Sequence, residues 1–77
     1  MQLGTRWSVG ADTPARLAEE FVAVVREVEA RFAGEDTVDW RWTLTWLEGR
    51  PVAELDATGT VVRYGHDGSV TVTEGDS

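Results

Sequence analysis

A chain of 77 residues with a formal net charge of −7, seven arginines, no lysine and no cysteine describes one small acidic domain. A domain of this size buries only about 60% of the surface its unfolded chain exposes, and its acidity argues against the counterion-releasing contacts that nucleic-acid backbone or anionic membrane would need. Without cysteine there is no disulfide framework, thiolate metal site or cysteine nucleophile.

The start of the chain, Met1-Gln2-Leu3-Gly4-Thr5-Arg6, lacks a basic region followed by an apolar one. No apolar run approaches a membrane span, so a cytoplasmic location is the default expectation. Residues 2–9 read as a first strand, with Leu3, Thr5, Trp7 and Val9 in phase and Gln2, Arg6 and Ser8 opposite. Asp12-Thr13-Pro14 then predicts a helix start, because Asp12 or Thr13 can accept free backbone N–H groups and Pro14 suits the first helical position.

From Pro14 to about Ala33 the apolar residues Leu17, Phe21, Val24, Val25, Val28 and Phe32 recur at three- and four-residue steps, one stripe of an amphipathic helix. Glu19 and Glu20 place negative charge toward its positive end. Gly34 is placed to end it in a left-handed conformation.

The stretch Asp39–Leu47 alternates strictly. As a strand it sets Trp40, Trp42, Leu44 and Trp46 on one face and Arg41, Thr43 and Thr45 on the other. A two-residue Glu48-Gly49 loop pairs Leu44 with Ala53 and Trp42 with Leu55, and places Arg41 opposite Asp56. A turn at Thr58-Gly59 predicts Leu55 beside Val62, Ala53 beside Tyr64 and Glu54 beside Arg63. A three-residue loop, His66-Asp67-Gly68 with Gly68 left-handed, pairs Tyr64 with Val70 and Val62 with Val72. Residues 73–77 are expected to fray as a polar tail.

These elements predict an α+β domain over residues 1–77: a single helix packed on one face of a four- to five-stranded, mainly antiparallel sheet, in the order β-α-β-β-β-β. A helix long enough to traverse the sheet predicts that the first strand lies parallel to the tryptophan strand, or nearby, through a right-handed crossover. One helix, about 10 to 12 Å across, does not cover a sheet of about 19 to 24 Å. The sheet must therefore curl around the helix, or its apolar margin must be closed by the tails, a second subunit or a partner.

The chemistry-bearing residues form no recognised constellation. His66 beside Asp67 resembles a base with its orienter, but no nucleophile stands at a matching spacing, and a solvated turn is the simpler reading. Glu19 with Glu20, and Glu27 with Glu29, read as helix solvation, while Asp36 and Asp39 lack the ligand spacing of a calcium loop. Arg41, Thr43, Thr45, Arg63, Thr71 and Thr73 read as the wet face of the sheet. Asp56-Ala57-Thr58-Gly59-Thr60-Val61-Val62-Arg63-Tyr64, with Asp67-Gly68, resembles one unit of the tyrosine-aspartate repeat proteins. It occurs once, and turn chemistry alone produces such spacing, so no function is carried over.

The resulting expectation is a non-enzymatic interaction or regulatory domain acting through protein contact, a homodimer being one form of it, with Trp40, Trp46, Trp7 and Tyr64 as the candidate interaction surface. No cofactor, metal, nucleic acid or membrane partner is expected. The alternative is a small-molecule binding domain with a pocket between helix and sheet, lined by Trp7, Trp42, Phe21 and Tyr64. An enzyme using His66 or the acidic pairs ranks third.

Overall fold

The alternating tryptophan stretch forms the longest strand of a five-stranded sheet. The computed structural model describes residues 5–14 and 16–75. Its elements are β1 (Thr5–Ser8), α1 (Glu19–Arg31), β2 (Arg41–Leu47), β3 (Arg50–Leu55), β4 (Thr60–Tyr64) and β5 (Val70–Thr73). The sheet order is β1-β2-β3-β4-β5 and every pairing is antiparallel. The expected α+β class, one helix against one sheet, is what the chain adopts. The expectations for Gln2 and Leu3 lie outside the described residues.

Two of the three hairpin registers follow the hydrophobic phase as expected. Leu44 pairs with Ala53 and Trp42 with Leu55 across a two-residue loop. Glu48 (φ 53°) and Gly49 (φ 78°) are both left-handed, the conformation whose twist matches that of the flanking strands. Tyr64 pairs with Val70 and Val62 with Val72. There Gly65 N–H donates to Ser69 O at 2.7 Å, Gly68 N–H donates to Gly65 O at 3.0 Å, and Gly68 is left-handed.

The middle hairpin corrects the expected register by two residues. Leu55 faces Thr60, Ala53 faces Val62 and Glu54 faces Val61, so Arg63 stands opposite Val52. The loop is wider than the one predicted: Asp56, Ala57, Thr58 and Gly59 lie between the closing pair Leu55 and Thr60, and Thr58 N–H (3.2 Å) and Gly59 N–H (2.8 Å) both return to Leu55 O. A two-residue slip preserves side-chain parity. The apolar pattern that fixes which face is buried therefore could not choose between the two registers.

The first strand is antiparallel to the tryptophan strand, Trp7 facing Trp42 and Ser8 facing Arg41, which corrects the parallel crossover. The cause lies in the described residues 9–14 and 16–18. The helix begins at Glu19, with Ala18 as an extended cap residue making no side-chain cap, rather than at Pro14. Gly10 N–H donates to Glu29 Oε2 at 3.2 Å and Arg26 Nη2 to Ala11 O at 2.7 Å, bonds that hold this segment against the helix flank and prevail over the local capping signal. The chain leaves β1 at one end of the sheet, descends beside the helix, climbs back as α1 and re-enters at Arg41 beside the end of β1. The helix stop is likewise not a left-handed Gly34. Phe32 N–H and Ala33 N–H close the last turn on Glu29 O and Ala30 O, and Phe32 meets Trp40 edge-on at 5.3 Å.

The core holds Trp7, Phe21, Val25, Val28, Trp42, Leu44, Ala53, Leu55 and Val62. The helix packs closest on β4 and β5. On the other half of the sheet Trp7 and Trp42 stack at 6.0 Å with planes 13° apart, and Val9 and Leu17, from the irregular residues between β1 and α1, pack against the core. Two large rings and an irregular segment thus cover what a single helix cannot. Pro51 sits in a central strand without cost to the ladder between β3 and β4, which begins one residue later at Val52.

Thr73 ends β5 and Glu74 accepts from Arg31 at 3.3 Å. Asp76 and Ser77 lie outside the described residues. Among the described residues no helix is long and apolar enough to cross a membrane.

Candidate functional site

The four aromatic residues read as an interaction surface occupy different depths. Trp7 is 8% exposed and belongs to the core. Its stacking on Trp42 withdraws it from a partner. Its Nε1 is buried without a hydrogen-bond partner among the described residues. Trp40, Trp46 and Tyr64 are half-buried and pack on the core with an outward margin. Trp40 lies at one end of the sheet against Phe32. Trp46 and Tyr64 lie together at the other.

That second end is built by register. Trp46 faces Pro51 across the β2–β3 hairpin, and Tyr64 ends the neighbouring strand on the same face. Residues 16–18 pass over them, and Arg16, Ala18, Trp46, Gly49, Arg50, Pro51 and Tyr64 enclose a shallow depression of about 170 Å³. Tyr64 Oη donates to Glu20 Oε1 at 2.7 Å. This bond holds the Glu20 carboxyl below its ordinary range and the Tyr64 phenol above its own.

On the opposite face of the sheet, Arg50, Val52, Arg63, Tyr64, His66 and Thr71, with Leu47, line a second cleft of about 210 Å³. Another opening, about 520 Å³, lies at the C-terminal end of the helix between Val28, Arg31, Phe32, Thr58, Thr60 and Glu74. It is not the pocket expected between Trp7, Trp42, Phe21 and Tyr64, where close packing leaves Trp42 and Phe21 fully buried.

His66 and Asp67 are neighbours in sequence, but the Asp67 carboxylate accepts from Ser69 N–H (3.1 Å) and Ser69 Oγ (2.7 Å). Those bonds hold it below the usual carboxylate range and fasten the turn. Asp36 Oδ1 accepts from Val38 N–H at 3.3 Å. Glu29 is engaged by Arg26, Trp42 and Gly10. No group of three or more metal-ligating side chains occurs among the described residues.

No family model, curated protein or solved structure matches the chain. Reading the sequence alone missed Arg16, Arg50 and Pro51 as companions of Trp46. Pro51 and Arg50 were recoverable from the Glu48-Gly49 register. Arg16 was not, because it belongs to no helix or strand and neither period nor register places it.

Proposed function

We propose that this chain is a non-enzymatic interaction domain acting through protein contact, with its contact surface where Trp46, Tyr64, Arg16 and Arg50 converge. The supporting observation is that convergence. Tryptophan, tyrosine and arginine are the side chains that most often dominate the energetics of interfaces, and here they rim one depression on an otherwise acidic domain. A second copy of the chain is one occupant and a different protein another. Sedimentation over a concentration series, with affinity capture from the source cells, distinguishes them. Trp46→Ala with Tyr64→Ala abolishes whichever association occurs. A wild-type chain that neither self-associates nor captures a partner sensitive to these substitutions contradicts the proposal.

A second reading is favoured by the cleft at the end of the helix. Its volume of about 520 Å³ falls in the range of small-molecule sites, and Val28, Phe32, Arg31 and Thr58 provide the apolar wall with few polar groups that such sites use. Methyl shifts of Val28 on addition of a fragment mixture, absent in Phe32→Ala, support it. No saturable shift contradicts it.

A further inference from the structure

We infer that the cleft on the open face of the sheet is an oxyanion-binding site, sized for one carboxylate or phosphate group, with Arg63 as its principal ligand and Arg50, His66 and Thr71 beside it. The inference does not depend on the contact surface proposed above, although the two regions meet at Arg50 and Tyr64.

Register creates the site. Arg63 faces Val52 on one side and Thr71 on the other, so all three side chains stand in one row on the same face. Arg50 precedes Val52 by two residues and shares that face. Two guanidinium groups are thereby set diagonally on adjacent strands, about 7 to 8 Å apart at the backbone, and the β4–β5 loop brings His66 over them. The side chains lining the cleft include no carboxylate, although the chain carries 14 acidic residues against seven basic ones.

The arginines elsewhere are largely committed. Arg6 is held by Asp56 at 2.6 Å, Arg26 by Glu29 at 2.9 Å and Arg31 by Glu74 at 3.3 Å. Arg63 makes no ion pair or side-chain hydrogen bond among the described residues. Arg50 is paired only with Glu48 two residues away, a carboxylate with 75% of its side chain exposed, and such surface pairs are readily exchanged. Like charges gathered in one cleft repel each other, and a bound oxyanion relieves the repulsion while accepting the paired N–H groups of a guanidinium. The net charge of the domain does not forbid this. At physiological salt, charges beyond about 8 Å are screened, so an anion responds to the lining rather than the whole surface.

The test is a titration of 15N-labelled protein at low ionic strength with inorganic phosphate and, separately, with glutamate blocked at both termini. The arginine Nε–H and histidine ring signals report binding. Saturable shifts at Arg63 and His66 are expected with one or both probes, while Arg6 stays in place and Arg63→Gln weakens binding at least tenfold. Phosphate alone identifies a free phosphate-type ligand, and blocked glutamate alone a carboxylate presented by a protein. Either result supports the site. Because Arg63 is exposed, its backbone spectrum verifies that the variant is folded. The inference is overturned if neither probe shifts Arg63, if Arg6 and Arg63 move alike and without saturation, or if Arg63→Gln binds as the wild type does.

Discussion

Glu29, in the last turn of α1, accepts the indole N–H of Trp42 at 2.9 Å near the start of β2, tying the helix to the sheet. The same carboxylate oxygen takes Gly10 N–H at 3.2 Å, the other takes Arg26 Nη1 at 2.9 Å, and the side chain is only 10% exposed. One charged group therefore fastens the helix, the sheet and the chain at Gly10. Glu29→Ala removes the acceptor of three donors, Trp42 Nε1, Gly10 N–H and Arg26 Nη1, and is expected to destabilise the domain by about 2 to 3 kcal/mol. Glu29→Gln, which keeps an acceptor but loses the charge, costs about 1 kcal/mol. Urea unfolding midpoints measure both, and equal stability of the two variants would contradict the role.

The two stacked indoles give unequal expectations for the same substitution. Trp42→Phe loses a bond to a buried carboxylate, whereas Trp7→Phe removes an N–H group that has no partner among the described residues. Both lose ring volume. Trp42→Phe is therefore expected to be the more destabilising by about 1 to 2 kcal/mol, a difference read from paired thermal or urea denaturation curves.

These contacts also mark what the sequence could disclose. Period two and the turn residues sufficed for β2, its hairpin with β3 and the last loop, because each depends on neighbours in the chain. The direction of β1 was not legible, since it rests on Gly10 and Ala11 finding Glu29 and Arg26 far along the helix. Nor was the middle register, where a two-residue slip leaves every side chain on its proper face. For the candidate surface, Trp46 and Tyr64 were found by their phase. Phase alone also selected Trp7, which cannot be distinguished from them until its stacking partner is known.

The hairpin joining β2 and β3 has room for improvement. Glu48 is left-handed at φ 53° and its ion pair with Arg50 is exposed. Glu48→Asn is expected to raise stability by about 0.5 kcal/mol, since asparagine tolerates that conformation better. Gly49→Ala lowers it by about 1 kcal/mol, because a side chain is strained at φ 78°. Thermal midpoints of the two variants should move in opposite directions.

Tyr64 and Glu20 supply a pH-dependent contact. The phenol holds the Glu20 carboxyl low, so this group's contribution is present above the ordinary glutamate range and disappears as pH falls through the lowered value. The Tyr64 phenol is raised, so its contribution is present below the ordinary tyrosine value, about 10, and is lost as pH rises beyond it. Tyr64→Phe returns the Glu20 carboxyl toward its ordinary range in a 13C NMR titration and removes this contact's share of the alkaline loss of stability. An unchanged Glu20 titration would contradict the bond.

Solvent access to the individual tryptophans tests the central claim most directly, because a contact surface at Trp46 requires its ring to be reachable while the core indoles are not. A soluble paramagnetic agent added to dilute protein, with each indole signal assigned by single Trp→Phe variants, should strongly relax Trp46, leave Trp42 sharp and barely affect Trp7. Protection of Trp46 equal to that of Trp42 in the monomer would leave no aromatic surface for a partner there and would contradict the account.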